Sequence, residues 1–125
     1  MARYCFLLQV KAELLPEYRQ RHAEAWPDML RALRAAGWRN YSIFARPDGL
    51  IVGYVEAGDL RAAQRAMAVT EVNAAWQADM GRYFTGLDGV PPDEGFLLLD
   101  EIFNLDDQLA RLEAPASTQG NKGSR

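Results

Sequence analysis

Two apolar runs, "NYSIFAR" at 40–46 and "LIVGYVE" at 50–56, are separated only by Pro47, Asp48 and Gly49. Proline presets φ for a turn and glycine enters the left-handed region freely, so the two runs read as a hairpin. A hairpin in mid-chain constrains what can stand on either side of it. Residues 16–36 before it and 59–84 after it repeat their apolar side chains at helical spacing. Beyond those stretches lies one more apolar run at each end, "YCFLLQV" at 4–10 and "FLLLDEIFNL" at 96–105. The order is β-α-β-β-α-β. This is the split βαβ or ferredoxin-like pattern, an α+β sandwich with helices on one face of an antiparallel sheet.

The punctuation agrees with that order. Pro16 suits a first helical turn, where its missing N–H has no partner to lose. Gly37 fits a C-cap for the first helical stretch, and Pro27 inside it predicts a kink or local break near Trp26. Asp59 and Thr70 stand as N-caps before "LRAAQRAMA" and "EVNAAWQADMGRYF". A loop rich in Gly, Pro and Asp follows over 85–95. The domain is expected to span residues 1–105, with 106–125 as a polar, partly disordered C-terminal tail ending in "STQGNKGSR".

The first strand is apolar on both sides, since Tyr4, Phe6 and Leu8 alternate with Cys5 and Leu7. Two helical stretches can cover only one face of the sheet. The other face is expected to pack on a second copy of the chain, giving a homodimer. With 49% hydrophobic and 25% charged residues, the 125-residue chain has the composition of one ordinary domain. A net charge of −3, with its bases interleaved among acids, argues against nucleic acid or anionic membrane as partner. The single cysteine, Cys5, excludes an internal disulfide and a Cys-rich zinc site, and its apolar setting reads as a small buried thiol. No signal peptide or transmembrane span is recognisable, so the expected compartment is the cytoplasm.

His22 is the only histidine. On a helix, Tyr18, His22, Ala25, Trp26, Met29 and Leu33 share one face, with Glu17, Gln20, Arg21, Glu24, Asp28 and Arg31 opposite. An imidazole therefore occupies the middle of an apolar stripe, where leucine would pack better. Core packing is the ordinary fate of such a histidine, and of Trp76 in the second helical stretch. The company points further. Tyr18 lies one turn before His22 on the same face, Tyr41 begins the strand after the Gly37 turn, and Trp76 offers a floor for a sugar ring. Together they describe a small, partly apolar cavity with a few converging polar groups, the form of a small-molecule site. No metal-ligand spacing, Ser-His-Asp order, phosphate loop or dinucleotide fingerprint occurs. Chemistry there would be proton transfer without a cofactor, because an imidazole titrating near neutrality both gives and takes a proton.

"FLLQV" followed by "EYRQRHAEAWPDM", then "NYSIF" after Gly37, resembles the L-rhamnose mutarotase family. The family pattern is a strand ending in Gln-Val, then E-Y-x-x-R-H-x-x-x-W-P, then G-x-x-N-Y. Tyr18, His22, Trp26, Pro27, Gly37, Asn40 and Tyr41 keep its spacing. The match continues at Trp76 and Met80, and "DEIFNL" is similar to the family's closing strand, so the resemblance covers about residues 3–105. It implies a dimeric α+β barrel of ferredoxin-like subunits that interconverts the α and β anomers of L-rhamnose, or a related deoxy-sugar, without a cofactor. It also implies His22 as the proton donor, with Tyr18, Tyr41 and Trp76 contacting the sugar, and Gln77, beside Trp76, is counted with them as a substrate-binding residue. Two departures bear on the choice of sugar. Gln77 stands where the family places a second Trp, and the loop reads "GLDGVPPDEG" in place of Asn-Pro-Asp-Asn-Ser-Pro. Adjacent helical residues diverge by 100°, so Trp76, extended by Asn73 and Met80, is expected to point inward and Gln77 to line the rim.

Mutarotation opens the pyranose to the aldehyde, rotates the C1–C2 bond and closes the ring again. One group must protonate the ring oxygen while another takes the anomeric hydroxyl proton. His22 fits as the acid, with Tyr18 or Tyr41 orienting or relaying at the anomeric oxygen. The ~10²–10⁴-fold that general acid–base catalysis provides is sufficient, because the uncatalysed reaction is already fairly fast. Two other uses of this architecture stand beside that one: a cofactor-free monooxygenase or haem-degrading enzyme, and a non-catalytic ligand-binding module.

Overall fold

A computed structural model describes residues 1–113. Its strands are β1 (Ala2–Gln9), β2 (Arg39–Ala45), β3 (Leu50–Ala57) and β4 (Leu97–Leu99). Its helices are α1 (Leu15–Ala23), α2 (Pro27–Ala36), α3 (Leu60–Ala68), α4 (Glu71–Met80) and α5 (Leu105–Leu112). The sheet has the order β2-β3-β1-β4, and each neighbouring pair is antiparallel. That is the expected α+β, ferredoxin-like topology.

Local backbone chemistry explains most of the boundaries. Gly49 sits at φ +96° in the β2–β3 turn, where its N–H donates to the Arg46 carbonyl at 2.8 Å. A Cβ at position 49 would stand 2.1 Å from the Val10 carbonyl oxygen, so this turn and the end of β1 are fitted to each other. The first helical stretch does break as Pro27 requires. α1 ends at Ala23, Trp26 is extended at φ −62° and ψ 132°, and Pro27 opens α2. Gly37 closes α2 in the left-handed region at φ +101°. Asp59 accepts the N–H groups of Arg61 and Ala62, and Thr70 accepts that of Asn73, so both expected N-caps are in place.

The helices α1 to α4 lie on one face of the sheet. Phe6, Ile51 and Val55 from the strands meet Leu15, Tyr18, Met29, Met67 and Met80 from the helices in one core. Phe6 lies opposite Gly53 in the β1–β3 ladder, and its ring occupies the space a side chain there would take. On its other side the ring stacks on Phe96, with centroids 3.9 Å apart and an 18° interplanar angle. This stack anchors the end of the 85–95 loop over the middle of the sheet.

Three sequence expectations are corrected. The final strand is only Leu97–Leu99, not the whole of 96–105. The polar tail expected from residue 106 begins instead with α5, because Asn104 caps it by accepting the Asp107 N–H at 2.9 Å, and Arg3 ties it to β1 through Glu101 and Asp107. Residues 114–125 of that expected tail lie outside the described residues. Cys5 is not in the core. Paired with Tyr54 and Leu99, it is half-buried on the sheet face away from α1–α4. That face also carries Leu7, Val52, Phe44 and Leu97, of which Phe44 is 61% and Leu97 64% exposed.

Gly53→Ala tests the Phe6 contact. The new Cβ would stand 2.1 Å from the Phe6 ring, a clash that needs the core to shift. Overpacking of this kind costs about 1–3 kcal/mol. Urea denaturation is expected to show a lower midpoint with an unchanged slope.

Candidate active site

Tyr18 and His22 stand one turn apart on the inward side of α1, with ring centroids 4.2 Å apart. The His22 Nδ1 lies 3.0 Å from the Tyr18 carbonyl oxygen. A carbonyl can only accept, so Nδ1 carries the proton and Nε2 is the nitrogen left for chemistry. Trp76 of α4 meets His22 edge-on at 5.4 Å, and Trp26, freed by the break before Pro27, meets Trp76 edge-on at 5.0 Å. The Arg21 guanidinium lies 5.9 Å over the Trp76 ring and pairs with Asp79 of the same helix as Trp76. Tyr18, His22, Trp76 and Trp26 therefore form one aromatic chain that locks α1 against α4.

Tyr41 reaches the same place from β2. Arg39 pairs with Glu56 but Ser42 with Tyr54, so β2 holds one residue more than β3 over this stretch. The extra residue makes a bulge in which Asn40 adopts φ +48°, a conformation asparagine tolerates better than most side chains. The Asn40 amide also donates to Glu56 Oε2 at 3.1 Å. The bulge lets Arg39 and Ser42, three residues apart, pair with Glu56 and Tyr54, two apart on one face, while Tyr41 keeps plain alternation with Ile43. Tyr41 and Ile43 both face the helices.

All five residues singled out in the sequence, Tyr18, His22, Tyr41, Trp76 and Gln77, line one narrow cavity of about 40 Å³ floored by Phe6 and Leu8. It adjoins a wider one of about 290 Å³ that shares His22, Tyr41, Trp76 and Gln77 and adds Trp38 and Asn73. The second volume lies just below the roughly 300–1,000 Å³ of drug-sized sites. Trp76 is 6% exposed and acts as a fixed wall, while the Gln77 amide donates to Asn73 Oδ1 at 3.1 Å. Both residues reach the cavity, so the expected division into one inward residue and one rim residue is less sharp than helical geometry alone suggests. A larger hollow of about 630 Å³ lies outside, between α4 and the loop, and lacks His22 and both tyrosines. The chemistry-bearing groups gather around the inner cavities.

One functional candidate escaped the sequence reading. Asp93, in the 85–95 loop, lines both inner cavities, and its Oδ2 accepts from the Asn73 amide at 3.0 Å. Its Oδ1 is buried without a hydrogen-bond partner. The loop contains Asp88, Asp93 and Glu94, and nothing in their local sequence marks which one turns inward.

Burial dominates the electrostatics. It lowers the His22 pKa from its usual value, with the Arg21 charge acting the same way and the Tyr18 carbonyl against it. It pushes Tyr18 and Tyr41 well above ordinary phenols, so both keep their protons and are available as hydrogen-bond donors. Tyr41 is partly exposed as a residue, but its phenol end is enclosed by protein. Burial also raises Asp93, against the Asn73 hydrogen bond, and the charge of Glu94 adds to the effect. Among the described residues, no group of three or more His, Cys, Asp or Glu is placed to hold a metal ion, and no helix is long and apolar enough to cross a membrane.

A family model described as L-rhamnose mutarotase matches residues 3–105. The chain belongs to the L-rhamnose mutarotase family. Among its relatives, an L-rhamnose mutarotase of Opitutus terrae is 35% identical over 111 residues, covering 85% of this chain and 100% of that protein. One of Burkholderia cenocepacia is 39% identical over 93 residues, covering 72% of this chain and 85% of that protein. Family membership makes the chain an isomerase, the class to which mutarotases belong. Among solved structures, the L-rhamnose mutarotase of Formosa agariphila shares the fold with a TM-score of 0.67 at 24% identity, over 84% of this chain and 99% of that one. Tetracenomycin F2 cyclase from Streptomyces glaucescens shares it at 0.59 and 17% identity, over 83% and 98%.

With one histidine, an NMR titration of the mutarotase chain yields a single imidazole curve. Its midpoint is expected below 6.5, the ordinary value. The folded state then prefers neutral His22, and the unfolded chain takes the proton first. The stability from this preference is full above 6.5 and is lost as pH falls through the lower folded pKa. A midpoint at or above 6.5 contradicts the assignment.

Proposed function

We propose that this chain interconverts the α and β anomers of L-rhamnose by proton transfer, as a cytoplasmic homodimer. One observation carries the reading: Tyr18, His22, Tyr41, Trp76 and Gln77 converge on a single cavity in a chain of this family. In the proposed reaction His22 Nε2 is the proton donor. Burial makes the imidazolium a stronger acid than a free one, suited to the weakly basic ring oxygen. Tyr18 and Tyr41 keep their phenolic protons and donate hydrogen bonds to sugar oxygens. Trp76 supplies a rigid apolar wall for the sugar, and Gln77 a donor and an acceptor where an indole would offer only surface.

The test is exchange NMR of the anomeric protons of L-rhamnose. Added protein is expected to accelerate exchange, and His22→Asn to remove about 10²–10⁴-fold of the catalysed part while circular dichroism stays unchanged. Loss of the fold together with the activity would make the imidazole structural.

The dimer is supported by the open sheet face, where Leu7, Phe44, Val52, Leu97 and Leu99 form an apolar surface that a second copy can cover. Sedimentation is expected to give twice the 14.0 kDa chain mass. Phe44→Asp is expected to shift the protein toward monomer, and a wild-type monomer at micromolar concentration would defeat the proposal.

A further inference from the structure

We infer that the Asp93 carboxylate is the second proton-transfer group of this site, the base that takes the anomeric hydroxyl proton while His22 serves the ring oxygen. The inference rests on the mutarotase reading above. Ring opening makes simultaneous demands at two oxygens bonded to the same carbon, and one imidazole cannot meet both. Some second group must accept a proton.

The cavity narrows the choice. Its phenols, on Tyr18 and Tyr41, are held protonated by burial and are donors rather than bases. Of the residues lining the two inner cavities, Asp93 alone carries a carboxylate. Nearby acids are engaged elsewhere: Asp79 with Arg21, and Glu17 with Arg82 and the Tyr83 hydroxyl.

Asp93 is held through its backbone carbonyl and its Oδ2, while its Oδ1 has no hydrogen-bond partner. Gln64 Nε2 donates to its backbone carbonyl at 2.9 Å, and the Asn73 amide to its Oδ2 at 3.0 Å. Asn73 is in turn fixed by the Gln77 amide on its Oδ1. Three amide side chains thus orient one carboxylate, yet Oδ1 is buried with no partner. A buried polar atom left unpaired carries a desolvation cost. A sugar hydroxyl donating to Oδ1 would relieve it. His22 lines both inner cavities from α1 and Asp93 lines both from the loop, so a sugar held there is bounded by the two groups.

The step balances. Asp93 Oδ1 takes the O1 proton, and the freed pair on O1 forms the carbonyl bond at C1. The C1–O5 bond breaks with its electrons going to O5, which receives the proton of His22 Nε2. After rotation about C1–C2 the same transfers run backwards on the other face, returning Asp93 to carboxylate and His22 to imidazolium. No oxidant, reductant or further reactant is required. Burial raises Asp93 and lowers His22, narrowing the gap between their proton affinities, as a reaction that must run equally well in both directions needs.

Asp93→Asn keeps the shape and the Asn73 contact but removes the base. Exchange of L-rhamnose is expected to lose about 10²–10⁴-fold of its catalysed part. Thermal or urea stability at pH 7 is expected to hold or rise, since the native state no longer carries a desolvated charge. A merely structural carboxylate does the reverse, lowering stability and leaving exchange per folded molecule intact. Asp93→Asn protein that keeps wild-type exchange, or fails to fold, overturns the inference. Wild-type protein that gives no exchange overturns the mutarotase reading itself, and that result appears before any substitution is made.

Discussion

Pro27 is the constraint on which the helical layer depends. It has no N–H to give and its ring collides with the carbonyl four residues back, at a cost of roughly 3 kcal/mol inside a helix. A single helix over 16–36 is therefore closed to this sequence. The chain stops α1 at Ala23, crosses to Trp26 in extended form, and starts again with the proline in the first position of α2. The interruption also releases Trp26 from a helical path, so that its ring can meet Trp76 at 5.0 Å. Through Trp76 that contact reaches His22, and through His22 it reaches Tyr18. A missing hydrogen-bond donor thus frees the ring that joins the aromatic contacts between α1 and α4.

Within that cavity one physical effect is turned to several uses. Withdrawal from water penalises whichever form of a group is charged. It keeps two phenols protonated, makes an imidazole reluctant to ionise and makes a carboxylate reluctant to lose its proton. A set of ordinary side chains becomes a set of poised ones without a metal ligand cluster among the described residues.

Much of this was legible in the chain because it is written in backbone chemistry that acts over a few residues. Pro27, Gly37, Gly49, Asp59 and Thr70 each do what their local conformational preferences require. Tyr18, His22 and Trp76 were legible for a related reason, since helical spacing alone puts them on inward faces. What was not legible depends on partners distant in sequence. The bulge at Asn40 exists only relative to the register of β3. Cys5 shares an apolar run with Phe6, and only pairing decides which of the two enters the core. The apolar run 96–105 reads as strand throughout, yet Asn104 caps a helix that Arg3, at the other end of the chain, holds in place. Asp93 is distinguished from Asp88 and Glu94 by hydrogen bonds from Asn73 and Gln64, 20 and 29 residues earlier in the chain.

The deep wall of the site is also the core of the domain: Tyr18 is 4% exposed and Trp76 6%. Such residues answer to two masters, so drift toward a new ligand cannot begin with them without endangering the fold. The opposite wall is built of loop and of a half-buried amide, Gln77, with little packing to lose. Divergence among enzymes of this design is therefore channelled. The inner half is held in place because it is also the core, while the outer half, apart from Asp93, is free to be rewritten for another sugar.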